Sequence, residues 1–143
     1  MYTSGILTTQ PPTKITNNLG GTSNNLDDNL TGSELTSTNI GVYIDAAATI
    51  NCTNISWGSP NPGDSINQTV YIKNTGNSTE QLSLTATNWN PTIANSFLTL
   101  TWDKEGYSLL PGTVVPATLT LTVASETGSL TTFSFDINIS GTS

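Results

Sequence analysis

From residue 40 onward, apolar and polar residues alternate with a period of two. Val42, Ile44, Ala46, Ala48 and Ile50 alternate with Tyr43, Asp45, Ala47 and Thr49, and Ile55 and Trp57 continue the apolar set. Ile66, Val70 and Ile72 alternate with Asn67, Thr69, Tyr71 and Lys73. Leu82, Leu84 and Ala86 follow, then Leu98, Leu100 and Trp102 against Thr99 and Thr101. Ala117, Leu119, Leu121 and Val123 alternate with Thr118, Thr120 and Thr122; Phe133, Phe135, Ile137 and Ile139 alternate with Ser134, Asp136 and Asn138. Successive side chains of a strand point to opposite faces, so this rhythm predicts half-buried strands with Thr on the outer face.

Turn-forming residues separate the runs: Pro60-Asn-Pro-Gly63, Asn74-Thr-Gly-Asn77, Asp103-Lys-Glu-Gly106 and Pro111-Gly112. Seven short strands with turns between them predict an all-β, immunoglobulin-like antiparallel β-sandwich spanning residues 41–143. Trp57, Trp102, Phe133 and Phe135 are the expected core, and Trp89 the expected cap at one end. No segment reads as a helix.

The first 40 residues read differently. A short β-prone start runs from Tyr2 to Thr9, and Gln10-Pro11-Pro12 then interrupts any ladder. Residues 17–38 are rich in Asn, Ser, Gly, Thr and Asp, the composition of a linker. Alone, the segment buries too little apolar surface to offset its own ordering. The domain organisation expected is therefore an extended N-terminal strand and linker tail, 1–40, followed by a sandwich head, 41–143. The tail either is donated to another molecule or folds back as the first strand of its own domain.

Composition narrows the function. Only 9% of the 143 residues are charged, there is no Arg or His, and the three Lys are Lys14, Lys73 and Lys104. With a formal net charge of -7, the chain lacks the basic clusters that nucleic acid or anionic membranes require. Thr (27), Ser (16) and Asn (16) supply the polar surface instead. The single Cys52 precludes an internal disulfide, and with no His it also precludes Cys–His catalysis and most zinc sites. Beside sequon Asn51, the thiol is expected to be exposed. No apolar run is long enough to span a membrane. An exported chain of this kind is expected to have met the membrane only through a signal segment since removed.

Asn-X-Ser/Thr sequons occur at Asn29, Asn51, Asn54, Asn67, Asn77 and Asn138. Chance alone would give roughly five in so Ser/Thr-rich a chain, so number means little. Placement means more: Asn67 and Asn138 fall on outward strand phases, Asn77 in a turn, and Asn54 out of phase with Ile55 and Trp57. All six are candidate glycan carriers, and sugars would solubilise a surface poor in charge.

No catalytic or metal-binding set emerges, and the chain is read as a non-enzyme that needs no cofactor beyond covalent N-glycans. Asp27-Asp28-Asn29 resembles a piece of a calcium loop but lacks its glycine and closing Glu. Asp64, Asp103 and Glu105 lie in turns, and Asp45 and Asp136 on outward phases. A Lys–Asn isopeptide bond needs a core Lys, whereas Lys73 is outward and Lys104 lies in a turn.

The stretch Trp57-Gly58-Ser-Pro-Asn-Pro-Gly63-Asp-Ser-Ile-Asn-Gln-Thr-Val-Tyr71-Ile-Lys-Asn74-Thr-Gly76-Asn resembles Ig-like modules of archaeal secreted surface proteins. So do Leu84-Thr-Ala-Thr-Asn-Trp89-Asn-Pro91, Leu98-Thr-Leu-Thr-Trp102-Asp and Phe133-Ser-Phe-Asp-Ile-Asn-Ile139. With the detached N-terminal strand, the whole is similar to subunits of archaeal threads, thin glycosylated filaments on the cell surface. That resemblance implies a homopolymer built head to tail by donor-strand complementation, with Tyr2, Ser4, Ile6, Leu7 and Thr8 in the donor strand. The alternative is a non-polymerising surface or S-layer-associated binding module, with Tyr43, Tyr71 and Tyr107 as a stacking platform.

Overall fold

The computed structural model of the protein describes residues 8–9, 13–17 and 39–143. These form an all-β sandwich of two sheets, antiparallel except where the N-terminal strands join. In chain order the strands are β1 (Thr8–Thr9), β2 (Thr13–Asn17), β3 (Ile40–Tyr43), β4 (Asn54–Ile55), β5 (Ser65–Asn74), β6 (Glu80–Asn90), β7 (Leu98–Trp102), β8 (Ser108–Leu109), β9 (Val114–Val123) and β10 (Thr132–Thr142). One sheet runs β4-β2-β10-β6-β8, with β1 also on β10; the other runs β3-β5-β9-β7. The one helical turn among the described residues is a 3-10 turn at Thr92–Ser96, between β6 and β7.

The core follows the alternation. Ile40, Val42, Val70, Ile72, Leu98, Ala117, Leu119, Leu121 and Val123 of one sheet face Ile55, Leu82, Leu109, Phe133, Phe135, Ile137 and Ile139 of the other, and all are buried. Removing each large apolar side chain from water contributes about 1.5–3 kcal/mol, which is what overcomes the ordering cost of so polar a chain. Trp57 is buried as expected, whereas Trp102 and Trp89 are only half-buried against the core. Across β7, β9 and β5, Thr122 lies between Thr99 and Ser65, and Thr120 between Thr101 and Asn67.

The alternation misleads at residues 44–50. β3 ends at Tyr43, and Ile44 and Ile50 are 54% exposed rather than core. The cause is Asp45, whose carboxylate accepts from the backbone N–H of Thr49 (2.9 Å) and of Ile50 (3.0 Å) and from the Thr49 hydroxyl. These bonds hold its carboxyl below the usual carboxylate range. They close a loop in which Ala48 takes a left-handed φ of 58°. Cys52 then returns to β3, its N–H donating to the Val42 carbonyl at 2.9 Å. Its side chain is 5% exposed, not surface-lying as the adjacent sequon suggested, because this return turns it inward. Burial pushes its thiol up, and the sulfur donates weakly to the Asn54 carbonyl at 3.6 Å.

Candidate functional site

The feature that distinguishes this sandwich is the slot beside β10. β2 lies between β10 and β4, parallel to β10, with Asp136↔Lys14, Ile137↔Ile15, Asn138↔Thr16 and Ile139↔Asn17 as register partners. On its other side Thr13↔Ile55 and Lys14↔Asn54 pair with β4 in antiparallel sense. β1 continues the parallel ladder upstream, Thr8↔Thr132 and Thr9↔Phe133. The break between β1 and β2 contains Pro11 and Pro12, which lack the N–H that a ladder needs.

Parallel partners cannot be joined by a tight turn. Here β1 and β2 meet β10 from the far end of the sequence, and no hairpin fixes their register. The covalent link from β2 runs instead to β3 of the opposite sheet, through residues 18–39. Those 22 residues can span roughly 70 Å when extended, far more than the thickness of a sandwich.

An aromatic cluster joins β10, β6 and the segment that follows β4. Phe135 stacks on Trp89 at 4.3 Å, on Phe133 at 6.2 Å and on Trp57 at 6.3 Å between ring centroids. Trp57 follows β4 by two residues and is 2% exposed, yet its indole N–H has no hydrogen-bond partner. Among the described strands β4 pairs only with β2, so vacating the slot would leave β4 without a ladder and open one edge of β10.

The candidate residues named from sequence divide as follows. Of the donor-strand set, Thr8 lies in β1; Tyr2, Ser4, Ile6 and Leu7 lie outside the described residues. The strand at Thr13–Asn17, read from sequence only as part of the 1–40 tail, with the linker starting at residue 17, belongs to the middle of a sheet. Asn51, Asn54, Asn67 and Asn77 are exposed, and Asn29 lies outside the described residues. Asn138 is half-buried on β10 between β6 and β2, and its Nδ2 donates to Thr87 Oγ1 at 2.9 Å. Asn67 accepts from Thr120 Oγ1 at 2.8 Å through Oδ1.

The turn and surface carboxylates organise loops. Asp64 accepts from the Asn61 N–H at 2.9 Å. Glu105 accepts from Trp102 Nε1 at 2.8 Å and from the Leu84 N–H at 3.1 Å. Asp136 accepts from Asn88 Nδ2 at 2.8 Å. Asp103 accepts from the Thr118 N–H at 2.9 Å and pairs with Lys104 at 3.4 Å. Partial burial acts to raise its carboxyl, but these partners outweigh it and leave the pKa lowered. Among the described residues no three His, Cys, Asp or Glu lie close enough to hold a metal ion. Tyr43 and Tyr71 are register partners on β3 and β5 and are half-buried, with the Tyr43 ring folded over Gly41. Tyr107 stands apart before β8, beneath Lys104. The three tyrosines therefore form no common platform.

Two features escaped the sequence reading. Glu80 opens β6 fully buried, with both carboxylate oxygens lacking a hydrogen-bond partner. Burial pushes its carboxyl up, and the Asn39 side chain opposes this only in part. A groove of about 550 Å³ lies near the other end of β10, lined by Pro91, Ile93, Phe97, Leu130, Thr131 and Thr132. No signal marked Glu80, because one Glu after a Thr-rich turn looks like surface. Comparison with known proteins found no matching family model, no matching curated protein and no matching solved structure.

Proposed function

We propose that the protein is the structural subunit of an extracellular, N-glycosylated filament of the archaeal thread type, polymerised head to tail by donation of its N-terminal strands. The observation that carries this reading is the position of β2, inserted mid-sheet in parallel with β10 and tethered only through residues 18–39. A strand held by its ladder rather than by a turn can be supplied as well by a second copy. Such an exchange is heterologous, and it grows a filament or closes a ring. It keeps the β10 edge covered, which an open sheet edge requires. Four exposed sequons on the body fit a surface solubilised by sugars. The functional class is structural, with no chemistry asked of Asp64, Asp103 or Glu105, which are engaged in loop hydrogen bonds.

One observation favours the alternative, a monomeric surface or S-layer-associated module: β1 and β2 complete the sheet of their own chain. Refolding separates the two readings. The full chain is unfolded, then refolded across a wide concentration series and followed by sedimentation and electron microscopy. Strand exchange predicts polymers that grow with concentration and resist mild denaturant. Monomers at every concentration, with no filaments on the source cells, would sink the filament reading.

A further inference from the structure

The two ends of the sandwich carry an apolar tip and an apolar groove. β6 runs from Glu80, paired with Leu109 of β8, to Asn90, paired with Ser134 of β10, and its 11 residues span about 33 Å. At the Glu80 end, Leu110 and Pro111 form an exposed, uncharged tip, with Leu110 60% exposed. The tip is braced from behind. The Gly112 N–H donates to the Asn74 carbonyl at 2.9 Å, and the Thr113 N–H and hydroxyl donate to the Leu110 carbonyl at 3.2 and 2.6 Å. Beyond the Asn90 end lies the groove of about 550 Å³, where exposed Ile93 (57%) stands beside half-buried Phe97 and buried Leu130. No charged residue lines it. Its walls are braced as well: the Phe97 N–H donates to the Ala94 carbonyl and the Leu130 N–H to the Thr127 carbonyl, each at 3.0 Å.

We propose that a second copy of this chain seats its Leu110–Pro111 tip in the groove of Ile93, Phe97 and Leu130, so that sandwich bodies meet end to end. Three observations select this occupant. Each copy carries a net charge of -7, so two copies repel unless the surfaces that meet are uncharged, as tip and groove are. Leu110 is the most exposed large apolar side chain among the described residues, and Ile93 the next. The two lie at opposite ends of β6, so a tip cannot reach the groove of its own chain, and the contact joins different patches on two copies. A contact of that kind leaves a free tip and a free groove at the ends of every pair and repeats. The proposal deepens the filament reading and rests on it for growth along a line, but it is a contact between bodies and uses none of the N-terminal strands.

The test is disulfide trapping in the full chain, with buried Cys52 replaced by Ala and with Leu110→Cys and Ile93→Cys introduced together. The length of β6 far exceeds the ~4.4–6.8 Å Cα separation that a disulfide accepts, so no bridge forms within one folded chain. Mild oxidation should give a ladder of multimers on a denaturing, non-reducing gel. The control pair is Leu110→Cys with Ile44→Cys, similarly exposed but outside the groove. Adding Pro111→Asp should lower the yield roughly tenfold, because a carboxylate must then be desolvated beside apolar side chains. A ladder above the control that Pro111→Asp reduces supports the end contact. If that ladder vanishes with Lys14→Pro, which interrupts β2, strand donation is supported too; if it survives, the end contact stands and donated strands are not what joins the copies. Bands that stop at dimers mean that like ends meet, and overturn the proposal. So does a yield no higher than the control or indifferent to Pro111→Asp; filaments still seen by electron microscopy in that case leave the filament reading standing.

Discussion

Asn74 Nδ2 donates to the Leu109 carbonyl at 2.8 Å, a side-chain bond that ties the end of β5 in one sheet to β8 in the other. The same amide donates to the Ser78 carbonyl at 2.7 Å, and its Oδ1 accepts from the Gly76 N–H at 2.9 Å. One buried side chain thus satisfies both the turn that follows it and a strand of the facing sheet. Asn74→Ala leaves those backbone groups without partners and should cost about 1–3 kcal/mol. Asn74→Asp keeps the acceptor for Gly76 but sets a charge against two carbonyls, and at neutral pH it should cost at least as much. Urea unfolding at constant m-value checks both. A midpoint unchanged in either variant would mean that the inter-sheet bond adds nothing.

Glu80 carries a second prediction, on pH. Gly141 leaves the space that Glu80 occupies: a Cβ there would lie 3.0 Å from Glu80 Oε1 and from Ile40 Cγ2. Because burial raises its carboxyl, the native state holds the Glu80 proton more tightly than the unfolded chain does. This contribution is full below the ordinary Glu range, about pH 4, and is lost as pH rises through the folded-state value. Glu80→Gln removes the cost of ionisation. The variant should match the parent in acid and exceed it at neutral pH, with the gap opening across that window. Urea midpoints for both proteins at acidic and neutral pH decide it; a gap that is constant with pH would place the effect elsewhere.

The sandwich was legible because alternation is a local signal. The residues from Ala117 to Val123 and from Phe133 to Ile139 are buried and half-exposed in the expected phase. The reading failed where a side chain overrode the pattern. Ile44 and Ile50 continue the rhythm of β3, yet the three-residue Ala run behind Asp45 bends into a loop around one carboxylate. It failed again at β2, whose Thr-Lys-Ile-Thr-Asn has only one strongly apolar residue. Its position is set by partners more than a hundred residues away, Asp136 to Ile139, which no window of sequence contains. The groove was illegible for the same reason: Ile93 and Leu130 meet only after the sheets pack.

Glycan occupancy should follow exposure. Asn51, Asn54, Asn67 and Asn77 stand open to solvent, whereas Asn138 is half-buried with its Nδ2 already engaged by Thr87. Attachment consumes one hydrogen of that nitrogen and needs clearance above the sheet. Glycopeptide mass spectrometry of protein from its source should find sugar on the four exposed sites and markedly less on Asn138. Full occupancy at Asn138 would require modification before β10 enters the sheet.

The slot beside β10 yields the most direct prediction about assembly. Lys14 is the residue of β2 paired on both sides, with Asp136 and with Asn54. Lys14→Pro removes a backbone N–H from the middle of a sheet and forfeits a ladder bond worth roughly 1 kcal/mol net. Lys14→Ala keeps the backbone intact and serves as the control for charge. If strands are exchanged between copies, Lys14→Pro should abolish or shorten filaments while the body is still secreted, and Lys14→Ala should not. If β2 serves only its own chain, Lys14→Pro should instead lower the unfolding midpoint of a monomer by an amount independent of concentration. Each outcome draws on the same lost hydrogen bond. Concentration dependence is what separates them, because a bond within a chain is blind to its neighbours and a bond between chains is not.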